Sequence, residues 1–175
     1  MARTTNLLRD RTNDNDSPGL NIEIRSLETG DDPAPFRTLS EEWISQFFTL
    51  EDKDREVLGN PDEHILQKGG QVLMLYASGE PVGCVALIPA ENNVFELSKM
   101  TIKTRMRGLG LGRMLLEYAI AQAKAIGANS LFLGSNIRLE NALHLYEALG
   151  FQYIRAEQIP RPVYAREDVF MELSL

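Results

Sequence analysis

The chain has 175 residues, 43% of them hydrophobic and 25% charged, with a formal net charge of −7 at pH 7. That length suits a single domain with a sizeable core, and the acidic balance argues against a general nucleic-acid binder, since no basic stripe with interleaved aromatics accompanies it. No apolar run reaches the length of a membrane span, and the single Cys84 cannot close an intrachain disulfide, which agrees with a reducing, cytoplasmic setting.

Residues 1–20 carry Arg3, Arg9 and Arg11 among Asn, Asp and Thr, without an apolar stretch of signal-peptide length. They are expected to form a disordered tail, and residues 21–175 one domain. Residues 21–27 alternate apolar and polar side chains, which predicts a first strand. Asp32-Pro33 offers an N-cap and a first-turn proline. Phe36, Leu39, Trp43 and Phe47 recur at spacings of three and four, predicting an amphipathic helix that ends near Phe48. The charged stretch 51–58 reads as a short helix stopped by Gly59-Asn60-Pro61, and 62–67 as another. Strands follow at 71–77 and 81–89, joined through Ser78-Gly79 as a hairpin. Cys84 alternates there with Val82, Ala86 and Ile88, as a small buried hydrophobe would.

A long strand, 94–104, leads into Arg107-Gly108-Leu109-Gly110-Leu111-Gly112, and a mostly apolar helix runs on to Ile126 with Gly127 as its C-cap. A strand at 130–134, a helix at 139–149 ended by Gly150, and strands at 151–158 and 168–173 complete the chain. No internal repeat is visible.

The glycine turn is the most informative segment. At a helix start the first main-chain N–H groups have no intrahelical acceptor, and the helix dipole adds partial positive charge there. Such a turn suits a phosphate or pyrophosphate. The P-loop pattern fails because Gly112 is followed by Arg113 and Met114 rather than Lys and Ser/Thr. The dinucleotide pattern fails because its third glycine would fall on Arg113 or Leu115. A glycine-rich turn without a ligand is the bland alternative.

What remains, Arg107-x-x-Gly110-x-Gly112 after a strand, resembles the acyl-CoA signature of the GNAT superfamily of N-acetyltransferases. A second block, Asn141-Ala-x-x-Leu-Tyr146-Glu-x-x-Gly-Phe151, resembles the later motif of the same family, and the resemblance extends over residues 21–175. It implies the α+β GNAT (acyl-CoA N-acyltransferase) fold: a mixed, mostly antiparallel central sheet, helices on both faces, and a splay between the fourth and fifth strands. That splay would admit the pantetheine arm of coenzyme A.

The resemblance also implies site residues. The main chain of Met100, Thr101 and Ile102 would pair with pantetheine, and the Met100 N–H would hold the thioester carbonyl. The turn residues Arg107, Gly108, Leu109, Gly110, Leu111 and Gly112 would hold the pyrophosphate. Arg113 would either pair with phosphate or stand as a solvated charge. Asn141 would hydrogen-bond the CoA arm. Tyr146 would protonate the leaving thiolate as general acid, with a core tyrosine as the alternative.

Glu96 stands two residues from Ser98 and four from Met100, so strict alternation would put all three on one face. It is the candidate for taking the proton from an ammonium acceptor, with a surface glutamate or a structural ion pair as its alternatives. Glu42, Trp43 and Tyr164 are candidates for the acceptor cleft, Trp43 doubling as a core residue and Tyr164 as an exposed loop tyrosine. His64 and His144 lack the partners of a triad or metal site, so no metal is expected.

The activity implied is acetyl transfer from acetyl-CoA to a primary amine in a ternary complex. A non-catalytic acyl-CoA sensor or interaction module on the same fold is the alternative. Neither nucleic acid nor membrane is an expected partner, and the resemblance allows a homodimer.

Overall fold

The computed structural model describes residues 5–6 and 19–175, so most of the expected N-terminal tail lies outside the described residues. Strand β1 (Thr5–Asn6) pairs antiparallel with β2 (Ile22–Ser26). Helices α1 (Ala34–Phe47) and α2 (Asp52–Gly59) follow, then a π-helical turn at Asp62–Leu66. Next come β3 (Gln71–Ala77), β4 (Glu80–Pro89), β5 (Val94–Ile102), α3 (Leu111–Ala125), β6 (Ser130–Ser135), α4 (Glu140–Ala148), β7 (Gln152–Ile154) and β8 (Val169–Ser174).

The described strands form one sheet in the order β1-β2-β3-β4-β5-β6-β8-β7. Every neighbouring pair is antiparallel except β5 and β6, the fourth and fifth strands of the sequence reading. Those two are parallel and matched only at Val94↔Ser130, Phe95↔Leu131 and Glu96↔Phe132. Beyond Glu96 they part, and this parting is the splay.

The period-two alternation of the strands divides the core into two layers. On one face, Leu111, Leu115, Leu116, Ala119 and Ala123 of α3 and Leu143 and Tyr146 of α4 pack on Leu75, Val85, Leu87, Leu97 and Leu131. On the other, Phe36, Leu39 and Ile44 of α1, Leu58 of α2 and Ile65 pack on Val72, Met74, Cys84 and Ala86. Cys84 is fully buried, and burial pushes its thiol up to about 12, as befits a packing residue and not a nucleophile.

The strand expected over 151–158 is shorter than its pattern. Only Gln152–Ile154 pairs with β8, because the Arg155 N–H bonds the Gln158 side chain and a 3₁₀ turn takes over at Ala156–Gln158. That turn starts the long connection, 155–168, that carries much of the site.

Candidate active site

The alternation of β5 breaks at Lys99. Ser98 lies opposite Ala86 and Thr101 opposite Cys84, so β5 spends one residue more than β4 between those pairs. The extra residue makes a β-bulge. Lys99 carries the distortion with φ 54°, a left-handed conformation uncommon for a lysine. The bulge overturns the expectation that Glu96, Ser98 and Met100 share a face. Met100 instead packs toward the α3 layer, while Lys99 enters the α2 side with Glu96.

At the other end of the splay, the chain leaves β5 through a 3₁₀ turn, Thr104–Met106, and enters α3. Gly108 and Gly110 have φ of 78° and 76°, values that glycine adopts without a Cβ penalty. The main-chain N–H groups of residues 108–113 find no acceptor among the described residues. A Cβ at Gly112 would meet only ordinary contacts with Ile102 and Leu145, so internal packing does not demand glycine there. The Arg107 guanidinium turns back to donate to the Ile102 carbonyl at 3.3 Å, and Arg113 is exposed and paired with Glu117 at 2.8 Å.

Helix α4 brings Tyr146 to the same cleft. The Phe151 N–H donates to the Tyr146 carbonyl at 3.0 Å, and the two rings lie 5.6 Å apart, which fixes the tyrosine. Its hydroxyl has no hydrogen-bond partner among the described residues, and burial pushes the phenol up to about 12. A phenol in that state is fully protonated at neutral pH and able to donate.

Opposite stands a charge cluster. Lys99 Nζ donates to Asp54 Oδ1 at 2.7 Å, and Arg166 straddles the same carboxylate with bonds of 2.7 and 2.8 Å. The Glu51 N–H adds a fourth donor at 3.0 Å. Burial alone would raise the Asp54 carboxyl, but the Arg166 and Lys99 donors bring it down to about 2. Burial pushes the Lys99 ammonium below its usual value, against the pull of Asp54.

A second group centres on Arg161. It bridges Glu96 at 2.7 Å and grips Glu167 with bonds of 2.7 and 3.0 Å. Gly134 makes room for this arrangement, since a Cβ there would collide with the Glu167 carboxylate. Between the two groups lies Tyr164, 6% exposed, with Lys53, Lys99, Arg161 and Arg166 at 4.3–5.0 Å from its ring centre. The expected exposed loop tyrosine is therefore buried, because cations and the Glu167 contact to its N–H enclose it.

One cavity of about 760 Å³ joins these parts. Its walls include Glu96, Met100, Thr101, Ile102, Arg107, Gly108, Gly110, Leu111, Gly112, Arg113, Asn141, Tyr146, Trp43 and Tyr164, all singled out in the sequence. Leu109 is 59% exposed and outside the lining. Glu42 is a correction: it is exposed on α1, one helical step from the cavity-facing Trp43, and takes no part in the lining.

Sequence reasoning missed Lys99, Asp54, Arg161, Arg166 and Glu167. A lysine inside an apolar strand pattern was a usable signal, as were the paired charges of residues 161–167. Asp54 had none, since nothing separates it from Asp52 in a charged helix.

The Acetyltransferase (GNAT) family profile matches residues 33–151. An uncharacterized N-acetyltransferase of Schizosaccharomyces pombe is 29% identical over 154 residues, covering 83% of this chain and 94% of its own length. The uncharacterized N-acetyltransferase YjgM of Escherichia coli is 30% identical over 139 residues, covering 75% and 82%. A GNAT-family acetyltransferase structure from Staphylococcus aureus superposes with a TM-score of 0.79 over 87% of this chain and 98% of its own, at 22% identity. The chain belongs to the GNAT acetyltransferase family. It is an acyltransferase of the acetyl-CoA-dependent N-acetyltransferase class.

Proposed function

We propose that this enzyme passes an acetyl group directly from acetyl-CoA to a primary amine, with both substrates held in one cavity. The observation that carries this reading is the shared lining: the unpaired N–H groups of the glycine turn and the free hydroxyl of Tyr146 open onto the same space as Glu96.

In this reading the N–H groups from Gly108 to Arg113 receive the pyrophosphate. The open edge of β5 from Leu97 onward receives pantetheine as an added strand. Asn141 holds the arm from α4. The acceptor arrives as an ammonium and loses a proton to Glu96, whose Oε2 has no donor among the described residues. The neutral nitrogen attacks the thioester carbon, and the oxyanion that forms is held by the Met100 N–H. As the N–C bond forms and the C–S bond breaks, Tyr146 gives its proton to the sulfur, and the proton shed by the acylated nitrogen passes through solvent to restore the phenol. Trp43 and Tyr164 line the acceptor end.

The test is thiol release from acetyl-CoA by the purified protein across a panel of amines. Amine-dependent release with the acetylamide found by mass spectrometry supports the proposal. Coenzyme binding without turnover of any amine would leave a sensor and not an enzyme.

A further inference from the structure

The charged groups at the acceptor end are sorted by sign. Lys99 and Arg166 face the cavity on the α2 side, with their counterion Asp54 behind them and outside the lining. Glu96 and Glu167 face it on the β6 side, with their counterion Arg161 likewise behind. Both poles retain unused capacity. An ammonium has three donors, and Lys99 spends them only on Asp54 and, at 3.5 Å, on the Tyr164 hydroxyl. Glu96 accepts at Oε1 alone, while Glu167 is filled by Arg161 and the Tyr164 N–H.

The charge count adds a second constraint. Among the buried charges at this end, Lys99, Arg166 and Arg161 balance Asp54, Glu96 and Glu167, and the exposed lining charges Arg138 and Glu140 are opposite in sign. A bare alkylammonium would bring one uncompensated positive charge into this buried space, which is costly. An acceptor with both an ammonium and a carboxylate adds none. The bulge at Lys99 points the same way, because a left-handed lysine backbone in mid-strand is maintained against its own preference.

We infer that the acceptor is a free amino acid, its amine held at Glu96 and its carboxylate at Lys99 and Arg166. This rests on the acetyl-transfer reading above and names its substrate class. The rings of Trp43, Phe47 and Phe48, with centres 6.1–6.3 Å apart, form an apolar wall of the same cavity for the side chain.

The experiment compares matched acceptors on the unaltered enzyme: phenylalanine, phenylalaninamide and phenethylamine, and the corresponding leucine series. Within each series the amine and side chain are kept and only the carboxylate changes. The amide also stands in for a peptide N-terminus and is intrinsically the better nucleophile near neutral pH, so a preference for the free acid must come from the site. The expected result is kcat/KM about tenfold or more higher for the acid than for the amide or the simple amine. Equal rates, or turnover confined to acceptors without a carboxylate, would overturn the inference while leaving acetyl transfer intact. No turnover of any acceptor would remove acetyl transfer itself and the inference with it. Arg166→Gln should shrink the acid-to-amide ratio toward one. A folded Arg166→Gln enzyme with the full ratio would show that the carboxylate is bound elsewhere.

Discussion

Asp54 of α2 and Lys99 of β5 stand 45 positions apart in the chain, yet their charged groups meet at 2.7 Å with side chains only 0% and 3% exposed. The pair ties α2 to the bulge in β5, and Arg166 ties the 155–168 connection to the same carboxylate. Desolvating these charges is expensive, and their mutual attraction offsets the cost only while each keeps its partners. Asp54→Ala would strand two buried cations. It is expected to destabilise the fold by about 3–5 kcal/mol. Urea denaturation of the variant checks this, and a loss below about 1 kcal/mol, the range of surface pairs, would show that the cluster is not a structural clamp.

The same carboxylate sets an acid limit. Its value is lowered to about 2 from 3.8, so between those values the unfolded chain binds the proton more readily than the folded one. Stability therefore rises with pH across that window. Asp54 contributes about 2 kcal/mol above its unfolded value, and this is lost as pH falls toward its folded value. Denaturation midpoints measured from pH 5 downward should fall steeply in the native chain, and less steeply in Asp54→Asn.

Tyr146 lies within the motif that the sequence supplied, and its hydroxyl has no partner among the described residues. Tyr146→Phe should lower kcat by about 100-fold or more if the phenol is the general acid, with KM for acetyl-CoA nearly unchanged. Because burial holds the phenol near 12, the native enzyme should show no alkaline fall in kcat from this group until pH approaches that value. A variant that loses coenzyme affinity and not turnover would assign Tyr146 to binding.

Gly134 has no role in any motif, yet its missing Cβ is where the Glu167 carboxylate sits. Gly134→Ala should displace Glu167 from Arg161 and cost about 1–3 kcal/mol, as overpacking does. Steady-state kinetics should show a higher KM for the acceptor and an unaltered KM for acetyl-CoA. An unchanged acceptor KM would detach Glu167 from the acceptor end.

The parts legible in the sequence are those set by local rules. Period-two and period-3.6 patterns located β3, β4 and α3 within a residue or two, and glycine spacing marked the turn before α3. The glycine-turn side of the cleft, proposed for the coenzyme, follows from the sequence because its donors are main-chain groups, whose positions follow from secondary structure alone. The charged end, proposed for the acceptor, does not, because it is built from long-range pairs. Lys99 meets Asp54 only after the sheet and α2 have packed, and Arg161 meets Glu96 across 65 positions. The lysine in the strand pattern hints at an irregularity but does not say that β5 gains a residue there, so strict alternation placed Met100 on the wrong face. Glu42 was misplaced for a simpler reason: one helical step of 100° separates a lining residue from an exposed one.

The glycine turn is proposed to bind a diphosphate through its main chain. Amide resonances of an isotope-labelled sample, followed during titration with coenzyme A, test it most directly. The N–H signals of Gly108, Gly110, Gly112 and Arg113 should shift together and saturate with one binding constant, and dephosphorylated pantetheine should leave them in place. Coenzyme binding that leaves these four signals unmoved, or no binding at all, would contradict the account.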